Sequence, residues 1–337
     1  MTRTEGGVAA LLMAYGAPAT LDDVEAYFTH IRGGRRPPEE RIEELRERYR
    51  LIGDISGLLR VTAEQARAVQ EALDRDGGEP VKVFTGMRHS PPWIADSAQA
   101  IASEGYRTII GLVLAPHFAA MSVGRYQAAL ESGLEGVEGR PDVVLVDHYG
   151  DDAGYVEAVR EALTEALDEA RGEGASAPHV IFTAHSLPAR ILNEGDPYKD
   201  QIESTARLVA GACGLDRWEV AFQSASPTGE PWIGPDFLER IDALASGGCR
   251  EIIIAPIGFV SDHLEILYDV DILAKERGAK AGVRLWRMPM MNTRPAFARA
   301  LAAVIRRTLA GAPARRGAGR ASGASGPPGP TADSSSR

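Results

Sequence analysis

Short runs of apolar residues alternate with longer amphipathic stretches along most of this chain. Eight of the short runs read as strands: Val8–Ala14, Val81–Thr85, Thr108–Leu114, Val143–Asp147, His179–Ala184, Glu219–Gln223, Glu251–Ala255 and Val283–Arg287. Most are apolar throughout rather than alternating, which is the pattern of strands covered on both faces. Between them Pro38–Ile52, Thr62–Arg75, Tyr155–Arg171 and Gln201–Cys213 place apolar residues at helical spacing. A last helix is expected to open at Pro295, with Thr293 or Asn292 as its cap, and to run to Leu309; proline is tolerated in a first turn. This alternation predicts parallel sheets joined by right-handed crossovers, with helices on both faces.

The strands divide four and four, and the halves echo each other where strands end. Met13-Ala14-Tyr15-Gly16-Ala17-Pro18, then His89 through Ile94, then Leu114-Ala115-Pro116-His117-Phe118 make up the first half's series. Thr183-Ala184-His185-Ser186-Leu187-Pro188, then Ser226 through Ile233, then Ile254 through Phe259 answer it in the same order. Trp93 lies 23 residues before Pro116, and Trp232 lies 24 before Pro256. The expectation is an α/β protein of two similar Rossmann-like lobes. Each lobe has a four-stranded parallel sheet flanked by helices, and a cleft runs between them. The first lobe is assigned residues 1–165, the second 166–294, a C-terminal helix packing back on the lobes 295–310, and a disordered tail 311–337. Ligands in open α/β sheets bind beyond the carboxyl ends of strands, so chemistry is sought there.

Composition narrows the functional classes. The 337 residues are 44% hydrophobic and 25% charged, with a formal net charge of −10. That balance argues against a nucleic-acid partner, which needs a basic face. The stretch Gly311–Arg337 is mostly Gly, Ala, Pro and Ser with four Arg and one Asp, too poor in apolar residues to fold; the rest of the chain then carries −13. No apolar run approaches the ~18 residues of a membrane span, and no secretory signal pattern opens the chain. Cys213 and Cys249 are the only cysteines, which points to a reducing cytoplasm and excludes a disulfide framework. A monomer is expected, since no long exposed apolar stripe stands out.

His185 ends an apolar strand and precedes a Ser-Leu-Pro turn. It is open between a hydrogen-bonded loop histidine and a metal ligand or proton acceptor. Asp262, Glu265 and Asp269 fall at i, i+3 and i+7 of an expected helix start, on one face. Early acids also complement the helix dipole, so this trio is open between a capping role and a landing site for a divalent cation. His89 and His117 occupy equivalent strand ends in the first half. Arg32, Arg35 and Arg36 concentrate positive charge around Gly33 and Gly34, as a solvated loop or as an anion-binding lip. Phosphate-loop, dinucleotide, zincin and serine-hydrolase signatures are absent from the sequence.

Taken together, these residues resemble the ferrochelatases, specifically the bacterial type acting on coproporphyrin III. The likeness spans about Leu11 to Leu309. It rests on Met13-Ala14-Tyr15-Gly16, Tyr27 through Arg32, Arg48-Tyr49, Leu114 through Phe118, Thr183 through Pro188, Gly258-Phe259 and Asp262 through Asp269. The resemblance implies a chelatase-like fold and insertion of Fe²⁺, as substrate, into coproporphyrin III with release of two protons. It implies that His185 and Glu265 bind the incoming iron and that Tyr15 lies against the opposite porphyrin face. Arg32, Arg48, Tyr49, Ser56 and Tyr126 would contact the propionates, and Asp269 would relay protons, with Asp271 beyond it on an acidic ridge. Leu273 stands where a further acid is expected, and Gly57 where a proline is expected after Ser56. Some relatives carry an iron–sulfur cluster; two cysteines are too few for one, and no tightly bound cofactor is expected.

The implied chemistry suits the residue types. Metallation removes two pyrrole protons and delivers a dication, for which a neutral His185 would serve as base and Glu265 as charge partner. Four propionates favour a basic rim over the global negative field at close range. Protoporphyrin or another tetrapyrrole is the alternative substrate, and a porphyrin carrier the non-enzymatic one.

Overall fold

The computed structural model describes residues 6–226 and 228–311. Expectations for the tail after Gly311 and for Pro227 lie outside the described residues.

The elements run β1 (Val8–Ala14), α1 (Val24–Ile31), α2 (Glu39–Ile52), α3 (Gly57–Asp76), β2 (Val81–Met87), α4 (Ile94–Ser103), β3 (Thr108–Val113), α5 (Val123–Gly133), β4 (Asp142–Val146) and α6 (Ala153–Gly172). They continue β5 (His179–His185), the single turn α7 (Arg190–Asn193), α8 (Tyr198–Cys213), β6 (Trp218–Gln223), α9 (Phe237–Ser246), β7 (Glu251–Ala255), a π-helix (Ile266–Ala274), α10 (Lys275–Lys280), β8 (Arg284–Arg287) and α11 (Pro295–Gly311). All eight expected strands are present. They form two all-parallel sheets, ordered β2-β1-β3-β4 and β6-β5-β7-β8. The two orders are the same once β1–β4 are matched to β5–β8, which is the duplicated architecture expected from the strand-end echoes.

Side chains that alternate along a strand face opposite layers, and β1 shows how. Val8, Ala10 and Leu12 enter a core shared by both sheets, while Ala9, Leu11 and Met13 pack with Ile94, Ala98 and Ile101 of α4. In β5, Val180, Phe182 and Ala184 join the same shared core. Ile181 turns the other way, onto Phe237 and Ile241 of α9 and Ile266 and Val270 of the π-helix. Both faces of both strands are therefore dry, which explains why neither shows a period of two. Burying each such aliphatic or aromatic side chain contributes about 1.5–3 kcal/mol. Helices α6, α8 and α11 fill the layer between the sheets.

Two expectations change. The lobe boundary drawn between 165 and 166 falls inside α6, one uninterrupted helix from Ala153 to Gly172. The strands divide after that helix, and its apolar face serves both halves. Helix α11 begins at Pro295 as expected, but residue 294 precedes it directly, so Thr293 stands a position too early to cap. The Asn292 side chain is engaged elsewhere: its Oδ1 accepts from Asp262 N at 2.9 Å and its Nδ2 donates to Asp262 Oδ2 at 2.7 Å. Among the described residues no helix is long and apolar enough to cross a membrane.

Candidate active site

Helices α1–α3 are inserted between β1 and β2, and α2 packs against the π-helix of the second half. Tyr15 and His185 stand at the carboxyl ends of β1 and β5, and the charge of Glu265 reaches Tyr15, Tyr27 and Tyr49 beside them. His185 is the last residue of β5. Its Nδ1 donates to the carbonyl of Ser186, which leaves Nε2 facing Glu265 Oε1 at 3.5 Å. Glu265 immediately precedes the π-helix, and its Oε2 lies 3.8 Å from His263 Nε2. The loop leading to it passes close to β5 at Gly258, where a Cβ would meet the Ala184 Cβ at 2.5 Å. Any side chain there would push the loop, and the glutamate it carries, away from His185.

One turn on, Asp269 accepts a hydrogen bond from Ser224 Oγ at 2.5 Å. Ser224 follows β6 in the left-handed region, φ 62°, a conformation costly to a non-glycine residue and frequent at functional sites. Glu265 and Asp269 do share a face of the widened helix, whose wide turn aligns positions four to five apart. Asp262 does not share it. It lies before the helix, tied to Asn292 and 3.1 Å from Arg287. Asp271 is likewise turned from the expected ridge, its Oδ1 2.9 Å from Arg287 Nε.

The electrostatics follow from this packing. Burial opposes charge on His185, but the Glu265 carboxylate, the Ser186 carbonyl and Asp269 outweigh it and hold the imidazole up to about 9. Burial would also raise Glu265, yet His185 and His263 keep it well below the usual carboxylate range. Each charge thus favours the other, which runs against the neutral His185 that the resemblance implies. Asp269, with burial dominant over the Ser224 hydrogen bond, is pushed up to about 6.

The side that carries Tyr15 is aromatic, with the Arg88 guanidinium among its rings. Tyr15 follows β1, is 41% exposed, and sets its ring 4.5 Å from that of His89. Burial, with the Glu265 charge adding to it and Arg88 opposing, holds its phenol up to about 12. His89 is buried, pushed down to about 3 chiefly by burial and then by Arg88, and its Nδ1 meets His30 Nδ1 at 2.9 Å. Tyr126 is buried beneath the Arg88 guanidinium, 5.6 Å from its ring centre.

The remaining expected contacts all lie on the α1–α3 excursion. Arg32, exposed at the end of α1, has no side-chain partner among the described residues. Arg48 binds Glu44 Oε1 at 2.6 Å and lies 5.0 Å over the Tyr268 ring. Tyr49 is buried with Val24 and Ile42. Ser56 stands at the start of α3, its carbonyl accepting from Leu59 N and Arg60 N. At Gly57 a Cβ would meet only the Asp54 carboxylate, which would have to turn aside. Arg32 and Ser56 make no hydrogen bond or ion pair with His185 or Glu265.

Sequence reasoning passed over Arg88, Ser224 and His263. The first two directly follow strands, so the strand-end rule applied to every strand finds them. His263 carries no such signal, because its role depends on how the π-helix begins. Among the described residues no three His, Cys, Asp or Glu side chains surround one point.

The family profile for ferrochelatase matches residues 7–309. A ferrochelatase of Deinococcus radiodurans is 40% identical over 302 residues, covering 89% of this chain and 95% of that one. A coproporphyrin III ferrochelatase of Geobacillus kaustophilus is 39% identical over 300 residues, covering 88% and 94%. Among solved structures, SirB from Bacillus subtilis with Fe³⁺ superposes with a TM-score of 0.57 at 14% identity, covering 90% of this chain and 95% of that one, a likeness of fold. On the match of profile, relatives and architecture, the chain belongs to the ferrochelatase family.

Proposed function

We propose that this protein inserts Fe²⁺ into coproporphyrin III, giving iron coproporphyrin and two protons. The observation that carries the reading is the His185 Nε2–Glu265 Oε1 pair, 3.5 Å apart at the carboxyl end of β5, opposite the exposed ring of Tyr15. Relatives named coproporphyrin III ferrochelatase at 36–39% identity support the substrate.

In this mechanism the porphyrin lies between the two walls, with Tyr15 against one face and the ionic pair at the other. Fe²⁺ is drawn by Glu265 and Asp269 and displaces the proton held on His185 Nε2, which passes to solvent. The freed imidazole and the Glu265 carboxylate then hold the ion until the ring nitrogens take it. As the metal enters, one pyrrole proton returns to His185. The other passes by Asp269 to solvent, so two protons leave per turnover and the resting pair is restored. Oxygen and imidazole donors hold Fe²⁺ less firmly than thiolates would, which favours release to the ring. Arg32 and Arg48, with Ser56, would receive the propionates, guanidinium groups being suited to carboxylates, while Tyr49 and Tyr126 are buried and would back the site rather than touch the carboxylates. One chain supplies both metal donors, so a monomer suffices, and no resident cofactor enters the scheme.

Anaerobic metallation of coproporphyrin III and protoporphyrin IX, side by side, tests this. The expected result is faster insertion into coproporphyrin by the wild type and its loss in His185→Ala. Tight porphyrin binding without insertion would make the protein a carrier, and a preference for protoporphyrin would overturn the substrate.

A further inference from the structure

His185 and Glu265 are eighty positions apart, and their spacing depends on whatever ties β5 to the start of the π-helix. One side chain touches both. Gln223 ends β6 and is wholly buried; in the parallel ladder it is the register partner of His185. Its carbonyl accepts from Ser186 N at 2.7 Å, holding the residue whose own carbonyl orients the His185 ring. Its Oε1 accepts from Thr183 Oγ1 at 2.9 Å. Its Nε2 donates to the main-chain carbonyl of Glu265 at 3.4 Å. A carbonyl can only accept, so the amide nitrogen is the end that faces Glu265, and the Thr183 hydroxyl fixes the amide plane from the other side.

We propose that Gln223 is a positioning residue that sets the separation of the two metal-binding side chains, tying the strand that carries His185 to the main chain of Glu265. The inference rests on the iron-binding reading of that pair. Gln223 touches neither the metal nor the porphyrin. It acts on the ligands' geometry, as outer partners of metal ligands commonly do, at a cost of roughly 10–100-fold in metal affinity or activity when removed. Gly258 keeps the loop close to β5; Gln223 pins the height at which the glutamate leaves it.

Gln223→Met keeps length and volume but removes both side-chain hydrogen bonds, and Thr183→Val removes only the bond that orients the amide. Three readouts separate positioning from general support: the apparent KM for the metal, the Kd for coproporphyrin from fluorescence quenching, and the visible spectrum of bound Co²⁺. The expected result for Gln223→Met is a metal KM raised roughly tenfold or more, an altered Co²⁺ spectrum and porphyrin affinity near wild type. Thr183→Val should shift the same readouts less. Unchanged metal affinity in folded Gln223→Met, or metal and porphyrin binding falling in parallel, would overturn the inference. If Gln223→Met does not fold, Thr183→Val decides by the same split. His185→Ala run alongside isolates the underlying reading: wild-type metal affinity in that variant removes the function proposed for the pair, and this inference with it.

Discussion

Two histidines near strand ends, one in each half of the molecule, have opposite fates. His117, beyond β3, is buried; its Nε2 lies 2.9 Å from Thr205 Oγ1, whose hydrogen goes to the Gly150 carbonyl at 2.9 Å. The ring must therefore donate from Nε2, and its Nδ1 is buried without a partner. Burial, with His148 adding, pushes it down to about 3. His185, the last residue of β5, is only partly buried and meets a carboxylate, which outweighs that burial and holds it up to about 9. What separates a packing histidine from a chemical one is thus the neighbour a later element supplies. For His117 that neighbour is the Thr205 hydroxyl of α8; for His185 it is the acid at the mouth of the π-helix.

The comparison breaks most easily at the ionic pair. His185→Ala or Glu265→Gln should lower the metallation rate about 100-fold or more, the scale of losing a positioned acid or base, with porphyrin binding retained. Equal losses in His117→Gln would erase the distinction. For His117 the expected effect is on stability. Its folded value lies below the ordinary 6.5, so the unfolded chain takes up the proton first. The stabilisation is whole above that pH and is lost as pH falls towards 3, by up to about 1.4 kcal/mol per unit. Urea unfolding at pH 7, 6 and 5 should show a shallower decline in His117→Gln than in wild type, and equal slopes would contradict the assignment. At Asp269, held near 6, the acid limb of the pH–rate profile should flatten in Asp269→Asn, with a fall of about tenfold or less at neutral pH. Protonation below that value removes the acceptor, so the wild-type rate should decline as pH drops through 6. Smallest, Arg32→Ala should raise KM for coproporphyrin about two- to fivefold, roughly the worth of one exposed ion pair, and raise it less for protoporphyrin. A parallel rise for both would count against Arg32 as the group that tells four carboxylates from two.

Much of the scaffold was legible because burial on both faces leaves an unmistakable run of apolar residues. All eight strands stand within a residue or two of their expected limits. β2 runs two residues further, because Gly86 and Met87 still pair with Met13 and Ala14. The repeated sheet order was foreshadowed by the strand-end echoes, since topology and strand-end chemistry are duplicated together. The π-helix was not legible. A spacing of i, i+3, i+7 assumes the ordinary turn, and under that assumption Asp262 joins the acidic stripe that the wider turn leaves to Glu265 and Asp269. The charge of His185 was equally out of reach, because it depends on distances to Glu265 and the Ser186 carbonyl that no local pattern encodes. Tyr49 could not be told from an exposed tyrosine by its neighbours Arg48 and Arg50, although the structure buries it with Val24 and Ile42.

Helix α6 has a last consequence. Because it runs unbroken across the expected boundary and its apolar face is common to both sheets, the halves are duplicated in form but not separable as folding units. A protease nick introduced between residues 173 and 178 should leave two fragments that stay together through gel filtration. Either fragment expressed alone would expose a broad apolar face and aggregate.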